Sequence, residues 1–231
     1  MKKIVIATNN VGKLNEIAAI LAPLDIEIVA QSTLGVSEAP EPHCAFIENA
    51  LAKARHASAH TGMPALADDS GICVDALNGA PGVHSARFAG EPAAGDKSGR
   101  AGQDARNNRK LLDLLNHETN RRAHYYCVIV LTRRADDPQP LVCEAEWHGE
   151  IVKTPRGNGG FGYDPLFLLP ALKKTGAELK APEKNRISHR GQALAALVAR
   201  LRAECGMPIS AAGRAATAMR YGREPGNKTE S

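Results

Sequence analysis

Two adjacent carboxylates, Asp68 and Asp69, stand at the end of the apolar run Pro64-Ala65-Leu66-Ala67 and are followed by Ser70 and Gly71. Acids at the end of a buried strand are costly to desolvate unless a cation meets them. A metal ion or a cation carried by a substrate would serve, and an acid so placed could take a proton from water. The alternative is an Asp-Ser-Gly turn with solvated side chains. Turn signals at Asn78-Gly79 and Pro81-Gly82 then fold the chain back before Ser85-Ala86-Arg87.

A second group of residues suits an anion. Thr8-Asn9-Asn10-Val11-Gly12-Lys13 joins a short β-rich run, Lys3 to Thr8, to a segment whose Leu14, Ile17, Ala18 and Leu21 share one helical face. Strand, glycine-containing loop and helix present backbone N–H groups and a helix N-terminus to phosphate. Lys13 adds a full charge. The spacing is neither a Walker P-loop nor a GxGxxG, so an Asn-rich turn with a solvated lysine stays open. Farther on, Lys180, Lys184, Arg186, His189 and Arg190 precede a helix with Leu194, Leu197, Val198 and Leu201 inward. Ser188 is placed to cap it, either aiming His189 and Arg190 at an anion or serving as a plain cap with solvated neighbours. Between these groups, Arg156 to Pro165 is a glycine-rich loop carrying Phe161, Gly162, Tyr163 and Asp164. Its glycines allow close backbone approach, and an aromatic held there can stack on a base.

The elements that must position these groups are those of an α/β protein. Ile26 to Ala30 reads as a second strand, and Gly35 to Pro42 as a loop carrying Glu38 and Glu41. Ala45 to His60 reads as a helix with Ile47, Ala50, Leu51 and Ala54 inward, leaving Glu48, Asn49, Lys53 and Arg55 to solvent. Gly90 to Gly102 is a surface loop, and Asp104 to Asn116 a helix. Ala123 to Thr132 and Leu141 to Trp147 are strongly β, with the alternation of a half-buried strand in the second. They pair as a hairpin across Arg133 to Pro140, which argues for a mixed sheet. Leu166 to Leu169 is a short strand. The chain from 206 to 231 is small and polar with little periodic hydrophobicity, a tail loosely attached to a domain spanning 1–205.

The composition suits a globular protein with a full core, 231 residues of which 43% are hydrophobic and 23% charged. A net charge of +4 is too small to argue for duplex DNA and compatible with a polyanionic small molecule. Aromatics are only 4%, with no aromatic-basic interleaving outside the Phe161 loop, which argues against nucleic acid as partner. The five cysteines are odd in number and form no Cys-x-x-Cys pair, so reduced thiols and a cytoplasmic setting are expected. No apolar run approaches a membrane span.

Taken together, these stretches resemble the inosine triphosphate pyrophosphatase family, in its bacterial dITP/XTP pyrophosphatase branch. The matching pieces are Thr8-x-Asn10-x-x-Lys13-x-x-Glu16, Phe46-x-Glu48-Asn49-Ala50 with Lys53-Ala54, Ala67 to Gly71, Gly79-x-Pro81-Gly82 with Ser85-Ala86-Arg87, Gly159 to Pro165, and Ser188-His189-Arg190-Gly191-x-Ala193. They stand in the family's order across residues 3 to 203. One departure is Pro42-His43-Cys44-Ala45 after Glu41, where the family usually shows Thr-Gly-x-Thr. The resemblance implies an elongated mixed β-sheet flanked by helices, with two lobes and a central active-site cleft. It also implies a homodimer, a divalent metal (usually Mg2+), and cleavage of a non-standard purine nucleoside triphosphate to the monophosphate plus pyrophosphate. By it, Thr8, Asn9, Asn10, Val11, Gly12 and Lys13 hold the triphosphate; Asp69 is general base and metal ligand; Glu41 is a second metal carboxylate; and Ser70 touches substrate. Phe161, Gly162, Tyr163, Asp164, Lys184, His189 and Arg190 surround base and sugar, and His189 and Arg190 are expected to donate to the C6 oxygen. The competing readings are a non-catalytic nucleotide- or RNA-binding regulator and a related pyrophosphatase with other nucleotide specificity.

Overall fold

The computed structural model of the chain describes residues 2–91 and 98–204. The tail expected at 206–231, Cys205, and residues 92–97 of the expected loop lie outside the described residues.

A seven-stranded mixed sheet runs in the order β2-β1-β3-β4-β5-β6-β7. β1 (Lys3–Ile6) lies parallel to β2 (Glu27–Ala30) on one side and to β3 (Ala65–Val74) on the other. Parallel neighbours need helical crossovers, and α1 (Val11–Leu21) and α2 (Phe46–Thr61) supply them. β4 (Arg122–Thr132) and β5 (Leu141–Ile151) form the expected antiparallel hairpin, and β4 also pairs with β3 along its length. β6 (Phe167–Leu169) and β7 (Lys174–Thr175) complete the sheet.

The period-two alternation of the strands sends alternate side chains to opposite cores. Ile4, Ile6, Leu66, Ile129 and Leu131 pack on one face against Ile17 and Leu21 of α1 and Leu194 and Leu197 of α5 (His189–Glu204). Val5, Ala65, Ala67, Val128 and Val130 face the alanine side of α2, where Ala50, Ala54 and Ala57 let the helix approach closely. A third cluster at the far end of the hairpin joins Tyr125, Trp147 and Phe167 to Leu111 and Leu115 at the end of α3 (Gly99–Leu114). Each such aliphatic side chain contributes roughly 1.5–3 kcal/mol by burial.

Several elements depart from the sequence reading. β3 continues through Asp68, Asp69, Ser70 and Gly71, so the acids lie mid-strand and not in a turn. α1 begins at Val11, which puts Gly12 and Lys13 in its first turn and not in a loop. α3 begins at Gly99, inside the expected loop. A short helix, α4 (Ala181–Ile187), occupies the basic segment before Ser188, favoured by Pro182 and Glu183 in its first turn and Lys184 and Arg186 in its last. No helix among the described residues is long and apolar enough to cross a membrane. Cys44, Cys73 and Cys127 are free thiols, the last of them buried; Cys143 is buried as well.

Candidate active site

Alternation along β3 splits the acid pair. Asp68 points to the α1–α5 side of the sheet and Asp69 to the α2 side. Asp68 is completely enclosed by cations: Lys13 Nζ lies 3.0 Å from its Oδ1, and Arg190 Nη2 and Nε lie 2.9 and 3.1 Å from its Oδ2. Ser70 Oγ donates to the same Oδ2 at 2.9 Å. Burial alone would raise this carboxyl, but Arg190, Lys13 and Lys53 outweigh it and hold Asp68 ionised far below the ordinary carboxylate range.

Asp69 is placed differently. Its Oδ1 accepts from Lys53 Nζ at 2.8 Å, and Asn49 Nδ2 lies 3.5 Å from Oδ2. Burial is the largest influence and leaves the Asp69 carboxyl above its ordinary value, although Lys53 and Lys13 pull it down. The same Lys53 Nζ lies 2.8 Å from Glu41 Oε1, and Arg87 Nη1 donates to Glu41 Oε2 at 3.2 Å. Burial opposes ionisation of Glu41 too, but Lys53 and Arg87 hold its carboxyl below the ordinary value. The cations expected from a metal or a substrate are thus, here, the chain's own ammonium and guanidinium groups.

Among the described residues no three His, Cys, Asp or Glu side chains make a self-sufficient metal site. The oxygens of Glu41 and Asp69 nevertheless converge on one cation, Lys53 Nζ, at 2.8 Å each. Two hard carboxylate oxygens so placed fit Mg2+, which commonly takes one or two carboxylates and completes its octahedron with phosphate oxygens and water.

A cleft of about 900 Å3 opens in front of these residues. Thr8 through Lys13 form one wall, with Glu41, Lys53 and Ser70 at its floor. Asn10 caps α1, its Oδ1 accepting from the N–H groups of Gly12 at 3.0 Å and Lys13 at 3.3 Å, so the helix N-terminus faces the cleft with its positive end. Asp69 is buried beside Lys53, which lines the cleft.

The opposite wall holds Phe161 through Asp164, Lys184, His189 and Arg190, with Ser188 capping α5 through the N–H of Gly191 at 3.1 Å as expected. Lys184 Nζ lies 2.6 Å from Asp164 Oδ2 and 3.1 Å from Glu16 Oε1, with the Phe161 ring 4.7 Å away. The Phe161 ring also presses on Gly12, where an added Cβ would lie 2.8 Å from a ring carbon. Tyr163 is buried and donates to Ser85 O at 2.9 Å, a support for the loop and not a free ligand group. His189 stacks on Tyr125 at 4.6 Å with rings nearly parallel, and its Nδ1 has no hydrogen-bond partner among the described residues. Burial, with Arg190 and Lys184 nearby, lowers its pKa well below the ordinary value, so the ring is neutral.

Arg190 has partners that its expected role did not include. Its guanidinium bonds Asp68, the carboxylate of Glu16, and Ser70 Oγ at 2.7 Å. The fork thus organises the acids while it also borders the cleft. The sequence reading left Asn49 and Lys53 to solvent, named Glu16 only within a motif and gave Asp68 no role beyond the acid pair, yet all four take part in the buried polar contacts of the site. The available signal was the spacing of Asn49 and Lys53, four apart and hence on one helical face beside the alanines that meet the sheet.

Comparison with known proteins bears on this arrangement. Residues 4–200 match the family model described as Ham1 family. The dITP/XTP pyrophosphatase of Nitrosomonas europaea is 62% identical over 90% of this chain and 98% of its own length. That of Ralstonia nicotianae is 60% identical over 87% of this chain and 98% of its own. Among solved structures, a HAM1 protein from Coxiella burnetii superimposes with a TM-score of 0.79 at 45% identity, covering 88% of this chain and all (100%) of that one. The Ham1 protein of Staphylococcus aureus gives 0.75 at 40% identity, with 88% and 100% covered.

Proposed function

The chain belongs to the Ham1 family, and on that premise we propose that it hydrolyses non-standard purine nucleoside triphosphates, dITP, ITP and XTP, to the monophosphate plus pyrophosphate. Doing so removes them from the nucleotide pool before they enter DNA or RNA. The observation that carries the reading is 62% identity, over nearly the whole length of both chains, to a dITP/XTP pyrophosphatase.

The geometry suggests a division of labour. The N-terminus of α1 and Lys13 offer positive potential to the triphosphate. Lys53 stands between the two carboxylates that flank the floor of the cleft, where its ammonium can turn to the charge that builds on departing pyrophosphate. Mg2+, held by Glu41 and Asp69 with phosphate oxygens, would neutralise the triphosphate and polarise the phosphoryl group. Asp69, its carboxyl raised by burial, is matched to accept a proton from the attacking water. No covalent nucleophile is needed. At the other wall Phe161 supplies a stacking surface for the purine, and the neutral ring of His189 supplies polar atoms to its edge. A homodimer, on the strength of the family resemblance, and a cytoplasmic setting, expected from the cysteine pattern, complete the reading.

The test is direct. The protein is incubated with ITP, XTP, ATP, GTP and dUTP in Mg2+, and pyrophosphate is assayed, with light scattering for the oligomeric state. Preferential release from ITP and XTP is expected. Equal release from every nucleotide would point to a pyrophosphatase of other specificity, and binding without release to a regulator.

A further inference from the structure

The Phe161 loop is held by α3 in a way that its sequence does not advertise. The N–H of Gly162 donates to Asp104 Oδ2 at 2.8 Å, and the carbonyl of Gly162 accepts from Asn108 Nδ2 at 3.0 Å. Asp104 and Asn108 are four apart and so share one face of α3. Both polar groups of one glycine are thus satisfied by side chains of one helix. Gly162 has φ +63°, a conformation that glycine adopts readily, and it lies outside the strands, so no ladder supplies partners for its backbone.

The grip is rigid at both ends. Asp104 Oδ1 accepts from Arg100 Nε at 3.0 Å, which fixes the carboxylate's rotation, and a charged acceptor strengthens the bond to the Gly162 N–H. α3 is itself anchored: Asn107 Nδ2 donates to the carbonyls of Ser85 at 3.2 Å and Ala86 at 3.1 Å, while its Oδ1 accepts from Ala89 N at 2.8 Å. On the other side of the aromatic, the Phe161 N–H donates to Asp164 Oδ2 at 2.9 Å. The ring therefore hangs from a backbone clamped immediately before and after it.

We propose that Asp104 and Asn108 are positioning residues for nucleobase binding: through the Gly162 peptide they set the height and tilt of the Phe161 ring against the purine. The inference rests on reading the Phe161 wall as the nucleoside end of the cleft. Both residues act through the Gly162 peptide at the Phe161 wall, so the effect belongs to the base end. Asp104 is the stronger member because its bond is charge-assisted.

The experiment compares wild type, Asp104→Ala, Asp104→Asn, Asn108→Ala and Phe161→Ala, alone and as Asp104→Ala with Phe161→Ala. It measures KM and kcat for ITP, and Kd for IMP and for pyrophosphate separately. Asp104→Ala should raise KM and the IMP Kd about 10-fold, the scale of one charge-assisted bond, with kcat and the pyrophosphate Kd within about twofold. Asp104→Asn keeps an acceptor for the Gly162 N–H and should recover most of the loss, while Asn108→Ala should shift IMP binding in the same direction by less. In the Phe161→Ala background, Asp104→Ala should add nothing. Additive losses in that background, or equal losses of IMP and pyrophosphate binding, overturn the inference, because a general weakening of the fold would produce them. A wild type that turns over ITP beside an unchanged Asp104→Ala overturns the inference alone. A wild type that neither turns over ITP nor binds IMP overturns the functional reading and the inference with it.

Discussion

Lys53, which lines the cleft, holds its Nζ 2.8 Å from Asp69 Oδ1. The ammonium is the strongest favourable influence on the ionised form of Asp69, while burial pushes its carboxyl up. Removing the cation in Lys53→Met leaves burial less opposed, so the Asp69 carboxyl rises further. A base works only when ionised, and the acid limb of the kcat–pH profile should therefore move to higher pH. Asp69→Asn should lose about 10²–10⁴-fold in kcat at every pH. An acid limb that stays in place in Lys53→Met would assign the limb to a group other than Asp69.

The pattern of apolar residues made the β4–β5 hairpin, the mixed sheet, the inward face of α5 and most of that of α2 legible from sequence alone, although Ile47, read as inward, is 45% exposed. It misled at Asp68 and Asp69, because charged residues read as the end of a strand when their partners are unknown. Those partners come from α1, α2 and α5, at separations no local pattern carries. Lys53 and Asn49 read as solvated for the same reason: a polar side chain on a helix is assigned to water unless the facing strand is known to present a carboxylate. The cleft residues at Thr8 to Lys13 and Phe161 to Asp164 were found because glycines and turn chemistry mark them locally. Arg190 was found, but its carboxylate partners were not, since its charge alone does not say whether a ligand or a buried acid meets it.

Gly12 separates helix stability from ligand binding. Its backbone is helical, and alanine is the better helix former by about 1 kcal/mol. An added Cβ would, however, stand 2.8 and 2.9 Å from two carbons of the Phe161 ring and push it aside. Gly12→Ala should leave Tm unchanged or raised while KM for ITP increases several-fold, on the order of the 0.5–1.5 kcal/mol attached to an aromatic contact. Thermal melts beside steady-state kinetics check both halves. A lowered Tm with unchanged KM would contradict the contact.

Asp68 is a structural acid. Asp68→Asn leaves Arg190 and Lys13 beside a neutral amide in a dry site, and breaking such a buried pair costs about 3–5 kcal/mol. The folded carboxyl is held far below its ordinary value by Arg190 and Lys13, against burial. Its stabilisation is therefore complete above the unfolded value of roughly 4 and is lost as pH falls below it. The Tm gap between wild type and Asp68→Asn should be constant from about pH 5 to 8, above that unfolded value, and should narrow in more acid solution. A gap that widens toward acid would reverse the assignment.

The choice between hypoxanthine and adenine is where the neighbours His189 and Arg190 part company. Arg190 is held by Asp68, Glu16 and Ser70, so Arg190→Lys should lower stability and slow ITP and ATP alike, leaving their ratio within about twofold, since it removes a shared support and no base contact. His189 is buried and neutral, stacked on Tyr125, with Nδ1 free of any partner among the described residues. A neutral imidazole can donate to the C6 oxygen through one nitrogen, a bond that adenine's amino group does not accept. His189→Phe keeps the flat ring for Tyr125 and removes both nitrogens. It should lower kcat/KM for ITP about 5–10-fold, the scale of one neutral hydrogen bond, and barely change ATP, so the ITP/ATP ratio narrows by that factor. Both variants are assayed with both nucleotides at saturating Mg2+, beside a melt that sets aside loss of fold. Equal losses for ITP and ATP in His189→Phe would make the imidazole a packing group. A narrowed ratio in Arg190→Lys, with His189→Phe unchanged, would return base reading to the guanidinium.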